Sequence, residues 1–388
     1  RCGPPRADPG VTRWVVVGGG TAGCVVAANL AAGLPDDAVT LLEAGTELGG
    51  AALVNAGLVV GPVDGYRHRL PLEPPAAIGV LGRAVLGAHP LAAPARLARR
   101  RGTRVTAADV YLADAAPNLA VRCDTAVARI VFADRRAIGV ITADGEHVAA
   151  DRVVLCAGAV ATPALLLRSG VTDIAGVGAG LQNHPGCAIA LDLAVGAAAL
   201  DLPEVPDVTV TVELGEQQLV VLERTPGAPG MGALLAGHLT PVGTGAVTVP
   251  DPDGPPLVTL DANAHPADAA GLRAAAESAF ALAQQPGVAA VTAGAYVDEH
   301  GTTLAGLRAG GEPAVERWLR HAANPYHHFA GTCRAGVVTD DIGRVWLYRG
   351  LSVCDAALLP GVPRRNPYLA VIDLAERLSS AWVAGLRR

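Results

Sequence analysis

Apolar and polar positions recur at different periods along the chain, and each period predicts a different element. Residues 14 to 45, WVVVGGGTAGCVVAANLAAGLPDDAVTLLEAG, pass from a β-branched run (Val15, Val16, Val17) through clustered glycines into an Ala-rich segment of helical character. A second apolar run, Val39 to Leu42, ends at Glu43. The order is strand, tight turn, helix, strand, acid. Further on, Leu119 to Cys123, Val127 to Phe132, Ala137 to Thr142 and Arg152 to Ala157 read as strands separated by polar turns such as Asp144-Gly145. They predict a β-meander that leads back to a parallel sheet. Residues 208 to 222 and 245 to 260 alternate at period two, the pattern of an antiparallel sheet with one covered face, and Pro266 to Gln284 is helical. Near the end, a strand from Leu351 to Cys354 precedes a Pro-rich loop and a closing helix. Residues 51 to 100 show little periodicity and several Pro and Gly, so loops and short elements are expected there.

The first segment carries GxGxxG spacing, with a physical task for each glycine: Gly18 for the turn, Gly20 for close backbone approach to a pyrophosphate, and Gly23 for packing of helix on strand. The helix amino terminus then faces phosphate charge. Glu43, 20 residues after Gly23, stands where a carboxylate accepts hydrogen bonds from an adenosine ribose and disfavours a 2′-phosphate. This is a dinucleotide site, and the spacing does not choose between FAD and NAD. In AGAVATPALLLRSGV (157 to 171), Gly158 and Ala159 again permit close backbone approach, and Pro163 suits a first helical turn.

Composition narrows the picture. With 388 residues, 51% hydrophobic and 17% charged, the chain buries a large core and is long enough for two domains. A net charge of -6 without a basic stripe argues against nucleic acid, and no apolar run reaches the roughly 18 residues of a membrane span. Seven scattered cysteines form no CxxC or zinc spacing, which points to a reduced, cytoplasmic setting. The amino terminus, RCGPPRADPG, lacks a secretory apolar stretch and an initiator Met, so an upstream segment is expected to be missing.

NPYHHFAGTC, residues 324 to 333, sets two histidines side by side. Neighbouring side chains in an extended segment face opposite ways, so only one of His327 and His328 is expected to meet a small substrate.

Four separated motifs, in order, resemble those of the glucose–methanol–choline (GMC) oxidoreductases: VVVGGGTAGCVVAANL with LLEAG; AGAVATPALLLRSG; GVGAGLQNHPG; and YHHFAGTCRAG followed by LSVCDAALLPGVPRRNPYLAVIDLAER. The resemblance implies an α/β protein with a Rossmann-like FAD-binding domain (11–50, 101–185 and 335–388), loops over the cofactor (51–100) and a reduced antiparallel-sheet substrate domain (186–334). It implies FAD as cofactor, with contacts at Gly18, Gly20, Thr21, Ala22, Gly23 and Glu43. Val127 looks like the residue whose backbone meets the adenine; Asp355, Ala356 and Pro367 look like the flavin side. The family's catalytic His precedes x-x-Gly-Thr, a register that selects His328, and its second polar residue falls on Asn366. His327 is then a loop residue and His184 a structural one.

On this basis the chain is expected to oxidise a small-molecule alcohol, with electrons leaving to O₂, a quinone or a redox protein. His328 is the expected base and Asn366 its partner. Departures are equally visible. The GGSSxxN signature survives only as GRAVLGAHP (82 to 90), a long following segment is absent, Asn183 replaces an Asp, and Ala335 replaces a Met. They support an alternative, a flavin-binding but catalytically degenerate homologue. An NAD-dependent dehydrogenase shares only the first motif. YRHRLPLEP and DRVVLCAGA also resemble the mycofactocin-associated branch.

Overall fold

The computed structural model describes residues 10–60, 65–198, 205–225 and 228–386. The start of the amino-terminal segment, with Cys2, lies outside them.

Five parallel strands form the first sheet in the order Leu351–Val353, Arg152–Leu155, Arg13–Val17, Ala38–Leu42, Leu119–Arg122. Val15, Val16, Val153, Val154 and Leu155 are each at most 1% exposed, as befits strands covered on both faces. The helices Thr21–Gly33 and Tyr368–Leu386 pack against each other beside this sheet, and Trp14 stacks on Trp382 at 6.5 Å. Between the strands at 119 and 152, which join the parallel sheet, runs a meander in which the expected Val127–Ala133 and Arg136–Thr142 are followed by a short strand that was not anticipated, His147–Ala149, all paired antiparallel.

The second sheet is antiparallel and seven-stranded. Its path runs Thr292–Tyr296, Pro185–Leu193, Met231–His238, Gln217–Leu222, Val208–Leu214, Ala92–Pro94, and Asn324–Pro325 joins at Pro185. Helix Pro266–Ala283 covers one face with Leu272, Ala276 and Phe280 against Ile189, Leu219 and Leu234. The other face is covered as well: Val208 and Val220 pack with Leu58 and Leu97, so alternation at period two does not mean one wet face here.

Three expectations on the sheet and its surroundings are corrected. Residues 245 to 260 do not enter the large sheet; Gly245–Thr248 and Leu257–Thr259 form a small sheet with Ala179–Leu181. Residues 80–94, expected as loops over the cofactor, form helix Val80–Ala88 and strand Ala92–Pro94 of the layer built on the seven-stranded sheet. Leu81 and Val85, one helical turn apart, are fully buried there, and the buried Glu223 carboxylate accepts the N–H groups of Leu81 (3.2 Å) and Gly82 (2.9 Å). A nine-residue helix is too short to raise a periodic signal between prolines. Finally, Pro163 lies inside the helix Gly158–Arg168 and not in its first turn, because that helix begins immediately at the glycine after the strand.

No helix among the described residues is long and apolar enough to cross a membrane.

Candidate active site

At the carboxyl end of Arg13–Val17 the three fingerprint glycines are each constrained differently. Gly18 has φ +102°, and a Cβ there would fall 2.6 Å from the Cys156 carbonyl oxygen. At Gly23 a Cβ would fall 1.7 Å from the Gly18 oxygen, so helix and strand close only over glycine. Gly20 is the opposite case. Its added Cβ would meet only the Gly50 Cα, at 3.9 Å, and it caps the 13-residue helix Thr21–Gly33 with no side-chain hydrogen bond. The first N–H groups, at Thr21 and Ala22, therefore lack a side-chain cap where an anion fits. Glu43 closes the next strand: its Oε2 accepts Gly19 N–H at 2.6 Å and its Oε1 accepts Gly45 N–H at 2.7 Å. Each oxygen retains a second lone pair for a ribose hydroxyl. Thr125 N–H bonds the Glu43 carbonyl at 2.7 Å, which brings the start of the Val127–Ala133 strand beside the same corner.

Asp355 was expected on the flavin side, by its carboxylate or by backbone. Its carboxylate is buried and spent on the protein: Oδ1 accepts Ala357 N–H at 2.7 Å, and Oδ2 accepts Gly158 N–H at 2.8 Å and the Thr162 hydroxyl at 2.6 Å. Burial pushes its pKa up while these bonds oppose the rise. The side chain thus ties the Gly158 turn to the Ala356–Leu358 turn, and only backbone of Asp355 and Ala356 remains to meet a ligand. Gly158, φ +90°, has no atom within 4 Å of a would-be Cβ. Pro367 lies in the loop just before helix Tyr368–Leu386 and its carbonyl accepts the first-turn N–H of Val371 at 2.9 Å.

His328 and Asn366 are brought together. Asn366 Nδ2 lies 3.3 Å from His328 Nε2, and Asn366 Oδ1 accepts from Gln218 Nε2 at 3.4 Å. On the other side of the ring, His328 Nδ1 lies 2.9 Å from His184 Nδ1, and His184 Nε2 lies 2.9 Å from the Pro363 carbonyl oxygen. These contacts assign the tautomers. A carbonyl only accepts, so His184 Nε2 carries its hydrogen and His184 Nδ1 is an acceptor; His328 Nδ1 then donates to it, and the unprotonated His328 Nε2 accepts from Asn366 Nδ2. Burial, then the His184 and His327 rings, hold the His328 pKa down to about 3. His184, fully buried, is held down to about 4, chiefly by burial. Both rings are neutral at pH 7.

His327 turns away. It adopts φ +58° and is exposed, with its ring edge on Phe329, so the pair is separated by a left-handed residue and not by extended alternation. The His328 N–H is held by Asn183 Oδ1 at 2.7 Å, and Asn183 Nδ2 donates to the His184 carbonyl at 2.8 Å. One further anchor explains Pro163. Lacking an N–H, it leaves the Ala159 carbonyl unbonded within the helix, and the buried Thr332 hydroxyl donates to that oxygen at 2.7 Å. The segment bearing His328 is pinned by a proline's missing bond.

Sequence reasoning missed His184, Gln218 and Pro363 as partners of this site. The LQNHPG motif held His184 and the last motif held Pro363, without saying that the two would meet.

Two models of the GMC oxidoreductase family match the chain, over residues 85–186 and 241–375. An uncharacterised GMC-type oxidoreductase of Rhodococcus erythropolis is 28% identical over 316 residues, 71% of this chain and 59% of that protein. The oxygen-dependent choline dehydrogenase of Klebsiella pneumoniae is 25% identical over 354 residues, 72% of this chain and 61% of that protein. The chain thus spans about three fifths of the length of these curated relatives. In fold it is similar to pyridoxine 4-oxidase from Mesorbium loti, with TM-score 0.81 and 21% identity over 96% of this chain and 99% of that one.

Proposed function

The chain belongs to the GMC oxidoreductase family, whose cofactor is FAD, and from that premise we propose that it oxidises a CH–OH group of a small-molecule alcohol with His328 as base and Asn366 as its partner. The residues present fit the cofactor. The uncapped helix start at Gly20, with open space where a Cβ would lie, suits a pyrophosphate, and Gly18, Thr21, Ala22 and Gly23 complete that turn. Glu43 and the Val127 backbone would hold the adenosine end; Gly158, the backbone of Asp355 and Ala356, and Pro367 would border the flavin end. When bound, FAD supplies the hydride acceptor.

The observation that carries the reading is the tautomer chain, which leaves His328 Nε2 unprotonated opposite the Asn366 amide. An alcohol entering between them gives its hydroxyl hydrogen to Nε2 and takes a hydrogen bond from Asn366 Nδ2. Gln218, holding Asn366 Oδ1, keeps that donor pointed at the developing alkoxide. General-base help of this kind is worth roughly 10²- to 10⁴-fold. The test is anaerobic bleaching of the flavin by benzyl alcohol, choline or pyridoxine. His328→Ala is expected to stay yellow and lose bleaching by that factor; bleaching at the parental rate would refute the assignment.

The reduced GGSSxxN signature at residues 82 to 90 and the absent segment after it favour one second reading, a flavin-binding homologue without turnover, and failure of a broad alcohol panel to bleach the parent protein would select it. Reoxidation by air against an artificial quinone separates O₂ from quinone or protein acceptors. The six cysteines among the described residues are free, which supports a reducing, cytoplasmic setting.

A further inference from the structure

We propose that His184 is a positioning residue and proton partner for His328: it fixes which nitrogen of His328 is basic and receives the Nδ1 proton when Nε2 takes one from substrate. The inference rests on the reading of His328 as base.

Three contacts close a ring. His328 meets His184 through their Nδ1 atoms, His184 meets the Pro363 carbonyl, and Asn366, three residues further on the same loop, returns to His328 Nε2. Both ends of the loop that carries Asn366 are therefore pinned to the two imidazoles. A shift of His184 would move acid and base partners together.

Protons balance through this ring without any other reactant. In the resting state His328 carries hydrogen on Nδ1 and His184 on Nε2. The hydroxyl proton of substrate arrives at His328 Nε2, and the His328 Nδ1 hydrogen passes to His184 Nδ1. His328 is left neutral with hydrogen on Nε2, and His184 becomes the cation, its two N–H groups directed at His328 Nδ1 and at the Pro363 oxygen. Every hydrogen of the cation has an acceptor, which a buried charge requires. Burial lowers both rings; the Pro363 and Leu239 carbonyls oppose the fall in His184, whereas the His184 and His327 rings add to it in His328. The other titratable groups acting on the pair are His238, from the Met231–His238 strand, on His184, and His327 on His328. The Tyr326 ring stands edge-on to His328 at 5.6 Å.

The test uses flavin-loaded protein and two substitutions. His184→Phe keeps a ring and removes both nitrogens; His184→Asn keeps an oxygen acceptor near the Nδ1 position and cannot take the proton. Flavin absorbance is expected to persist in both. Anaerobic flavin reduction by benzyl alcohol, or by choline if that bleaches the parent faster, is expected to fall about 10²-fold in His184→Phe and about tenfold in His184→Asn, with the acid limb of the rate–pH profile displaced in each. In substrate-free parent protein, ¹⁵N-resolved NMR of the histidines is expected to show one Nδ1–H shared between two imidazoles. That signal needs no variant to fold, and its absence overturns the inference. Parental rate and pH profile in His184→Phe overturn it too. If His328→Ala itself bleaches normally, the base assignment has failed first, a result separate from both.

Discussion

The corner at Gly18–Glu43 and the cluster around His328 teach different lessons about how a site is specified. The first is made of backbone: three glycines, an uncapped helix and one carboxylate, all within residues 18 to 43, where geometry follows from which positions lack a Cβ. The second is made of side chains from four distant segments, and its chemistry depends on which hydrogen sits on which ring nitrogen. Damage to the first should show in folding or cofactor content. Damage to the second should show in rate and pH dependence.

The largest expected effect tests the backbone corner against itself. Gly23→Ala, forcing a Cβ to 1.7 Å from the Gly18 oxygen, is expected to cost about 3 kcal/mol or more, read by thermal unfolding. Gly20→Ala meets open space and is expected to leave flavin-free protein within about 1 kcal/mol of the parent while reducing bound flavin, read as the visible-to-280 nm absorbance ratio. Equal losses of stability at the two positions would dissolve the distinction.

Next comes the side-chain cluster. Asn366→Ala removes the donor proposed to face the developing alkoxide and is expected to slow anaerobic flavin reduction by about 10²- to 10³-fold with flavin content unchanged. Loss of flavin instead would move Asn366 to the cofactor side of the comparison.

Smaller effects test the joint between the two regions. Thr332→Val preserves shape but strips the donor from the Ala159 carbonyl, and chemical denaturation is expected to show a loss of about 1 to 2 kcal/mol. The pH dependence probes the same cluster without any substitution. Both imidazoles are held below the ordinary 6.5, to about 4 and about 3, so the unfolded chain binds protons that the fold refuses. Their contribution to stability is complete above pH 6.5 and is lost as pH falls through about 4 and about 3. Across that window the melting temperature of the parent should fall more steeply than that of His184→Phe.

This division also explains what could be read from the sequence. The geometry of the glycine corner was legible because its parts are contiguous and its spacing is itself the geometry. The parallel sheet and meander followed for the same reason: local periodicity suffices when strands are buried on both faces or joined by short turns. His328 and Asn366 emerged only through resemblance to a family, since spacing in NPYHHFAGTC gives no account of a residue 38 positions later. His184 could not be recognised as a partner because its contacts to His328 and Pro363 span 144 and 179 residues, and Gln218 reaches Asn366 across 148. The sequence left open whether the carboxylate or the backbone at Asp355 faces a ligand, because a strand-end acid looks the same whether it does so or caps a neighbouring turn. Helix Val80–Ala88 escaped because its partner, Glu223, arrives from another layer.

Pro163 has a consequence beyond its own helix. A carbonyl is available to Thr332 there because an imino acid stands four residues later, so the address at which a segment 173 residues away must dock is written as an omission. Restoring an ordinary amide at that position would offer Ala159 a competing donor from within the helix. The histidine segment would then lose its registration mark while His328, Asn366 and His184 themselves stayed unchanged.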